Sequence, residues 1–81
     1  MEMQYQILRR PEVAKSFGAS RSSTFEWQNR GLLTRPIQLS IRMVGWPASE
    51  IAAIIEARVA GKSETEIKLL VERLHAARAA Q

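Results

Sequence analysis

The densest concentration of chemistry in the chain is Ser20-Arg21-Ser22-Ser23-Thr24, an unbroken run of side chains that donate or accept hydrogen bonds. Arg21 can form paired bonds to O6 and N7 of a guanine, or clamp a phosphate, and Ser22 and Ser23 reach shorter distances to either. Ser20 suits a helix cap that accepts from the backbone N–H groups of the first turn, and the helix N-terminus so formed is itself a site for an anion. Thr24 either touches a base methyl or fills space beside the preceding helix.

Such a cluster works only if neighbouring elements hold it outward. Pro11 suits a first helical turn because its missing N–H has no partner there, and Glu12 meets the positive end of the helix dipole. Val13, Ala14 and Phe17 give that helix, Pro11 to Phe17, a small apolar face. Gly18 can take the left-handed conformation that ends it. A second helix then runs from Arg21 to Arg30 and stops at Gly31. Two helices joined by so short a turn form a helix-turn-helix, in which the second lies in a DNA major groove and the first crosses the backbone. Glu26 on the second helix repels phosphate but can accept from a cytosine amino group. Arg30 and Lys15 read as phosphate neutralisers or as plain solubilising charges.

From Leu32 to Trp46 the period changes. Ile37 and Leu39 share one face, Val44 and Trp46 share one face, and Ser40-Ile41-Arg42 connects them, which predicts a β-hairpin. Pro36 fits a strand start or an edge, and Gly45 suggests a close backbone approach. Arg42 stands just beyond the connection, where a guanidinium enters an adjacent minor groove and reads its width; the other readings are a salt bridge to Glu50 and a free surface charge. Arg35 and Gln38 assist along the strand. Trp27 and Trp46 are expected in the core, and Phe25 lies next to the reading face.

Pro47 and Ala48 open a third helix with Ile51, Ile54, Ile55 and Val59 at helical spacing, closed by Gly61. Ser63 to Glu66 is a capping box, from which a fourth helix carries the stripe Ile67, Leu70, Val71, Leu74, with Ala77 beyond. That stripe either caps the core or packs against a second copy. The expected fold is mainly α: a small winged helix-turn-helix with a two-stranded hairpin wing and a C-terminal amphipathic helix. It is read as one domain over residues 1–81, with a core over 1–62 and a helical extension over 63–81. Met1 to Ile7 either pairs as a short extended segment or frays.

Composition narrows the classes. A chain of 81 residues buries only about 60 to 65% of the surface its unfolded form exposes, so a deep catalytic cleft is not expected. Cysteine is absent, which removes disulfides and thiolate metal sites. The net charge is +4, and it is uneven. From Arg9 to Arg42, seven basic residues (Arg9, Arg10, Lys15, Arg21, Arg30, Arg35, Arg42) face only Glu12 and Glu26, whereas charges balance from Glu50 onward. The positive field that would attract a polyanion therefore belongs to the first half. No apolar run approaches the ~20 residues of a membrane span, and Met1 to Tyr5 lacks the order of a signal peptide, so a cytoplasmic protein is expected. His75 is the lone histidine, expected at the surface, and there is no phosphate loop or metal-ligand spacing. Neither an enzyme, a cofactor nor a metal site is expected.

The order of these pieces resembles the AlpA family of prophage regulators, within the excisionase-like winged helix-turn-helix group. The resemblance rests on Ile7-Leu8-Arg9-Arg10-Pro11-Glu12-Val13, Gly18-Ala19-Ser20-Arg21-Ser22, Arg30-Gly31, Arg35-Pro36-Ile37-Gln38-Leu39-Ser40, and Arg42-Met43-Val44-Gly45-Trp46 followed by Ser49-Glu50-Ile51. It covers Ile7 to about Arg58. Similar proteins carry a bulky aliphatic where Thr24 stands, a basic residue at Glu26 and an apolar one at Gln28. The resemblance implies a double-stranded-DNA-binding regulator, or an accessory factor for excision of a mobile element. The competing expectation is a protein-interaction module whose C-terminal helix docks on an integrase, a polymerase or a partner regulator. A homodimer through Ile67, Leu70, Val71 and Leu74 is compatible with either.

Overall fold

A computed structural model of the chain describes residues 5–79. In order, the elements are β1 (Ile7–Leu8), α1 (Arg10–Phe17), α2 (Arg21–Asn29), β2 (Ile37–Ser40), β3 (Met43–Pro47), α3 (Ala48–Val59) and α4 (Glu64–Ala79). The arrangement is a winged helix-turn-helix followed by two further helices. Of the N-terminal expectation, Met1 to Gln4 lie outside the described residues, while Ile7 and Leu8 do pair. They add a strand to the wing, so the hairpin expected as two-stranded is a three-stranded antiparallel sheet of order β1-β3-β2. Ile7 sits opposite Pro47 and Leu8 opposite Trp46. The signal was too short to read: two residues have no period.

Local chemistry sets the boundaries. α1 starts at Arg10, one residue ahead of Pro11, because Glu12 reaches back to accept from the Arg9 backbone N–H at 2.9 Å. Gly18 closes it at φ 66°, a conformation without steric cost for glycine, and Ala19 N–H bonds back to Ala14 O at 2.9 Å. Ser20 caps α2, its hydroxyl accepting from Ser23 N–H at 3.1 Å. The expected capping box opens α4: Ser63 N–H donates to Glu66 Oε1 at 3.0 Å, and Glu66 N–H donates to Ser63 Oγ at 3.2 Å.

The core joins the four helices with β1 and β3. Val13, Leu32, Leu33, Trp46, Ile51, Ile54, Ile67 and Val71 are buried together, with Leu8, Phe17, Trp27, Ile55, Leu70 and Leu74 packed around them. Trp46 is fully buried and donates its indole N–H to Thr34 O at 2.7 Å. Trp27 meets Phe17 edge to face with ring centres 5.2 Å apart, under the Arg58 guanidinium at 4.6 Å. Both tryptophans therefore serve packing, as expected.

The fourth helix takes the first of its two expected roles, capping the core. Ile67 and Val71, each 3% exposed, belong to this core, and Leu70 and Leu74 lie against it. A homodimer through the Ile67, Leu70, Val71, Leu74 stripe would need surface that the molecule uses internally. The ambiguity was physical: an amphipathic stripe specifies burial, not the identity of what buries it.

Gly45, at the centre of β3, shows why the wing tolerates no side chain there. A Cβ would collide with Ile7 Cγ2 and stand 3.0 Å from Leu8 O and 3.2 Å from Leu39 Cδ1. Replacing Gly45 with alanine should cost about 1–3 kcal/mol of stability through overpacking, measured by urea denaturation. An unchanged midpoint would mean that β1 can shift freely away from β3.

Candidate nucleic-acid interface

The side of α2 that faces inward is organised by Arg10, a residue only 8% exposed. It donates to Thr24 Oγ1 at 3.1 Å and to Gln28 Oε1 at 2.9 Å, and lies 3.6 Å from the ring centre of Phe25 and 4.7 Å from that of Trp46. Burial, and then the charge of Arg21, lower its pKa from the ordinary value, although a guanidinium stays protonated at neutral pH. Among the described residues no carboxylate pairs with it; two neutral oxygens and two aromatic faces hold the charge. Sequence reasoning counted Arg10 only as one basic residue among many. The usable signal was that Thr24 and Gln28, four residues apart on one helical face, are both polar. They are polar because they serve Arg10.

Thr24 is therefore corrected as a DNA contact. It is fully buried, and its hydroxyl also donates to Arg21 O at 2.6 Å, which leaves nothing for a base. With Thr24 and Gln28 turned in, Arg21, Ser22, Phe25, Glu26 and Asn29 are exposed along the other side of α2. Arg21 lies 5.8 Å from the Phe25 ring, which is 44% exposed. Phe25 and Asn29 were not among the expected contacts; their spacing of one helical turn from Arg21 and from each other would have found them.

Other expected residues divide into those engaged and those free. Ser20 and Ser23 bond to each other, hydroxyl to hydroxyl, at 3.0 Å, so both belong first to the helix cap. Arg30 forks onto Glu64 with both oxygens at 2.7 Å and lies 3.7 Å from Glu26, tying the end of α2 to the start of α4. Lys15 is exposed on the last turn of α1. Gln38 turns its amide back onto the carbonyls of Ser40 and Ile41, bracing the hairpin. Arg42 occupies the turn itself, not the strand beyond it, and is exposed. The alternative of a salt bridge to Glu50 is not realised, because Arg78 takes that carboxylate at 2.6 and 2.7 Å.

Arg35 enters through its backbone. Its N–H donates to His75 Nε2 at 3.0 Å, and its carbonyl accepts from Arg78 at 2.8 Å, so α4 grips the chain just before β2. His75, expected at the surface, is half-buried in this latch. As an acceptor its Nε2 must be unprotonated. Burial, and then the charges of Arg35 and Arg78, lower its pKa from the ordinary 6.5, against an opposing pull from Glu50 and Glu72.

Among the described residues, no cluster of three or more His, Cys, Asp or Glu side chains stands ready for a metal ion. No helix among them is long and apolar enough to cross a membrane.

A short capped turn, an outward helix face rich in donors and a braced hairpin define a winged helix-turn-helix. The family model described as prophage CP4-57 regulatory protein (AlpA) matches residues 6–59, and the chain belongs to that family of phage-related regulators. It is also similar to the uncharacterized protein ORF88 of Enterobacteria phage P4, with 36% identity over 59 residues that span 73% of this chain and 67% of that relative. No solved structure matches the chain. The family match ends at Val59, where α3 ends, so α4 lies outside it.

Two predictions follow from this geometry. Thr24→Val removes an acceptor while leaving the charge in place, and should cost about 1–3 kcal/mol in urea denaturation. Arg10→Met, which removes the charge together with its needs, should cost less. The reverse order would mean that Thr24 does not support the guanidinium. For His75, the folded pKa lies below the unfolded one, so the unfolded chain binds more protons between the two values. Stability should be full above about 6.5 and decline as pH falls through the window beneath it. Urea midpoints followed from about pH 7.5 to pH 5 should show this slope in the wild type and a smaller one in His75→Gln.

Proposed function

We propose that this protein is a sequence-specific DNA-binding regulator of a prophage or other mobile element, controlling transcription or assisting excision. The observation that carries the reading is the outward face of α2, where Arg21, Ser22 and Asn29 are presented while the inward side is locked by Arg10, Thr24 and Gln28. In the major groove, Arg21 would read guanine, Ser22 and Asn29 would contact adjacent base edges or phosphates, and Glu26 would favour a cytosine amino group. Lys15 and Arg35 would neutralise phosphates, and Arg42 at the wing would enter the neighbouring minor groove. Affinity would fall with salt as the entropy gained by releasing counterions shrinks. Such a protein acts in the cytoplasm, on the nucleoid, and needs neither cofactor nor catalysis. The competing role, docking on an integrase or polymerase through α4, has less to stand on because the apolar stripe of that helix is internal.

The test is a mobility-shift titration at fixed salt on a duplex selected from a random-sequence library. Arg21→Ala and Arg42→Ala should each weaken binding, by about tenfold or more for Arg21, since a good paired contact to a base is worth about 1–3 kcal/mol. Circular dichroism of both variants should match the wild type. Equal affinity in all three proteins would defeat the assignment.

A further inference from the structure

The turn between β2 and β3 breaks a local rule without any gain to the fold. Tight hairpin turns are ordinarily built from Gly, Asn, Asp, Pro or Ser, yet this one is Ile41-Arg42. Ile41 is 93% exposed, the most exposed large apolar side chain among the described residues. No non-glycine residue among them has a positive φ, so the turn does not take the mirror-image form that best suits a two-residue hairpin. Its backbone is held instead by the Gln38 amide, which donates to the carbonyls of Ser40 and Ile41, and by an irregular register between Gln38 and Ser40. A bulky β-branched side chain is thus held out in water on a braced support. Residues that violate local preference without a structural return are where function is to be sought.

Charge identifies what such a tip would meet. None of the acidic residues falls between Glu26 and Glu50, a stretch that includes Arg30, Arg35 and Arg42. Arg42 has no ion-pair or hydrogen-bond partner among the described residues and stands beside Ile41. An apolar point flanked by an unpaired guanidinium, with no carboxylate to repel phosphate, matches the minor groove of duplex DNA. That groove, about 6 Å wide, admits a hairpin tip and not a helix. There, apolar side chains of this size pry into base steps while basic ones neutralise the backbone.

We propose that Ile41 is a wedge which enters the minor groove and kinks the duplex at a deformable pyrimidine–purine step, with Arg42 holding the adjacent phosphates. The proposal rests on the DNA-binding reading above and adds a mechanical role to it: the wing changes the path of the DNA as well as gripping it. A kink of roughly 20 to 90° toward the major groove is expected. Sites with a TA or CA step under the wing should be bound better than sites with a stiff A-tract there.

The experiment uses the full chain and the duplex selected from a random library, end-labelled with a fluorescent donor and acceptor, so that affinity and end-to-end distance are read together. Wild type should shorten the distance. Ile41→Ser should bind about tenfold more weakly and lose most of the shortening, whereas Ile41→Leu should retain both. Arg42→Ala should lower affinity while the residual complex remains bent. Because Ile41 is exposed, these substitutions leave the core intact, which the near-ultraviolet signal of Trp46 would verify. If wild type and Arg21→Ala differ in affinity but Ile41→Ser matches wild type in both affinity and distance, the wedge is overturned while the DNA-binding reading stands. If wild type binds no duplex from the library, the reading and the wedge fall together.

Discussion

One buried positive charge sets the geometry of this small protein. Arg10 leaves the first turn of α1 and passes between the aromatic faces of Phe25 and Trp46, so a single side chain touches the first helix, the second helix and the central strand of the wing. A guanidinium withdrawn from water must find acceptors, and those it bonds among the described residues are the side-chain oxygens of Thr24 and Gln28. That requirement fixes the rotation of α2 about its axis. Arg21, Ser22, Phe25 and Asn29 are outward because Thr24 and Gln28 are inward. The polarity of the outward face and the burial of the inward one are two consequences of one constraint.

Around that centre the remaining polar contacts bind α4 to the rest. Its first turn holds Arg30 at the end of α2, and its last turns hold the peptide of Arg35 and the carboxylate of Glu50. The exposed Arg30–Glu64 pair contributes little stability in water. The half-buried Arg78–Glu50 pair, completed by the Arg35 carbonyl, contributes more. With Ile67 and Val71 in the core, α4 belongs to the body of the domain even though the family match stops before it.

The parts legible in the sequence were those governed by short-range chemistry. Pro11 and Glu12 at one helix start, Gly18 and Ser20 at the turn, Ser63 and Glu66 at another start, and the alternation on either side of Ser40-Ile41-Arg42 all announce their conformation through neighbours a few residues away. The family likeness drew on the same pieces in order. What stayed hidden depends on separations of 14 residues or more: Arg10 to Thr24, Arg35 to His75, Glu50 to Arg78. For the reading face this mattered in one place above all. Thr24 and Ser22 are equally polar neighbours on paper, and only the position of Arg10 decides that one turns inward and the other does not. Phe25 illustrates the converse: an aromatic residue placed only beside the reading face serves as the lid over a charge and stays partly in view.

β3 carries contacts to every other part of the wing and to the helical pair. Arg9, just ahead of α1, donates from Nε to Val44 O at 3.0 Å; Trp46 lies under Arg10; and Pro47 leads without a loop into α3. Hairpin and helix pair are therefore riveted to the same five-residue strand, with no hinge between them. A body built this way works as a caliper of set opening. Any partner it engages with both jaws must conform to that gap, and the cost of fit falls on the more pliable of the two.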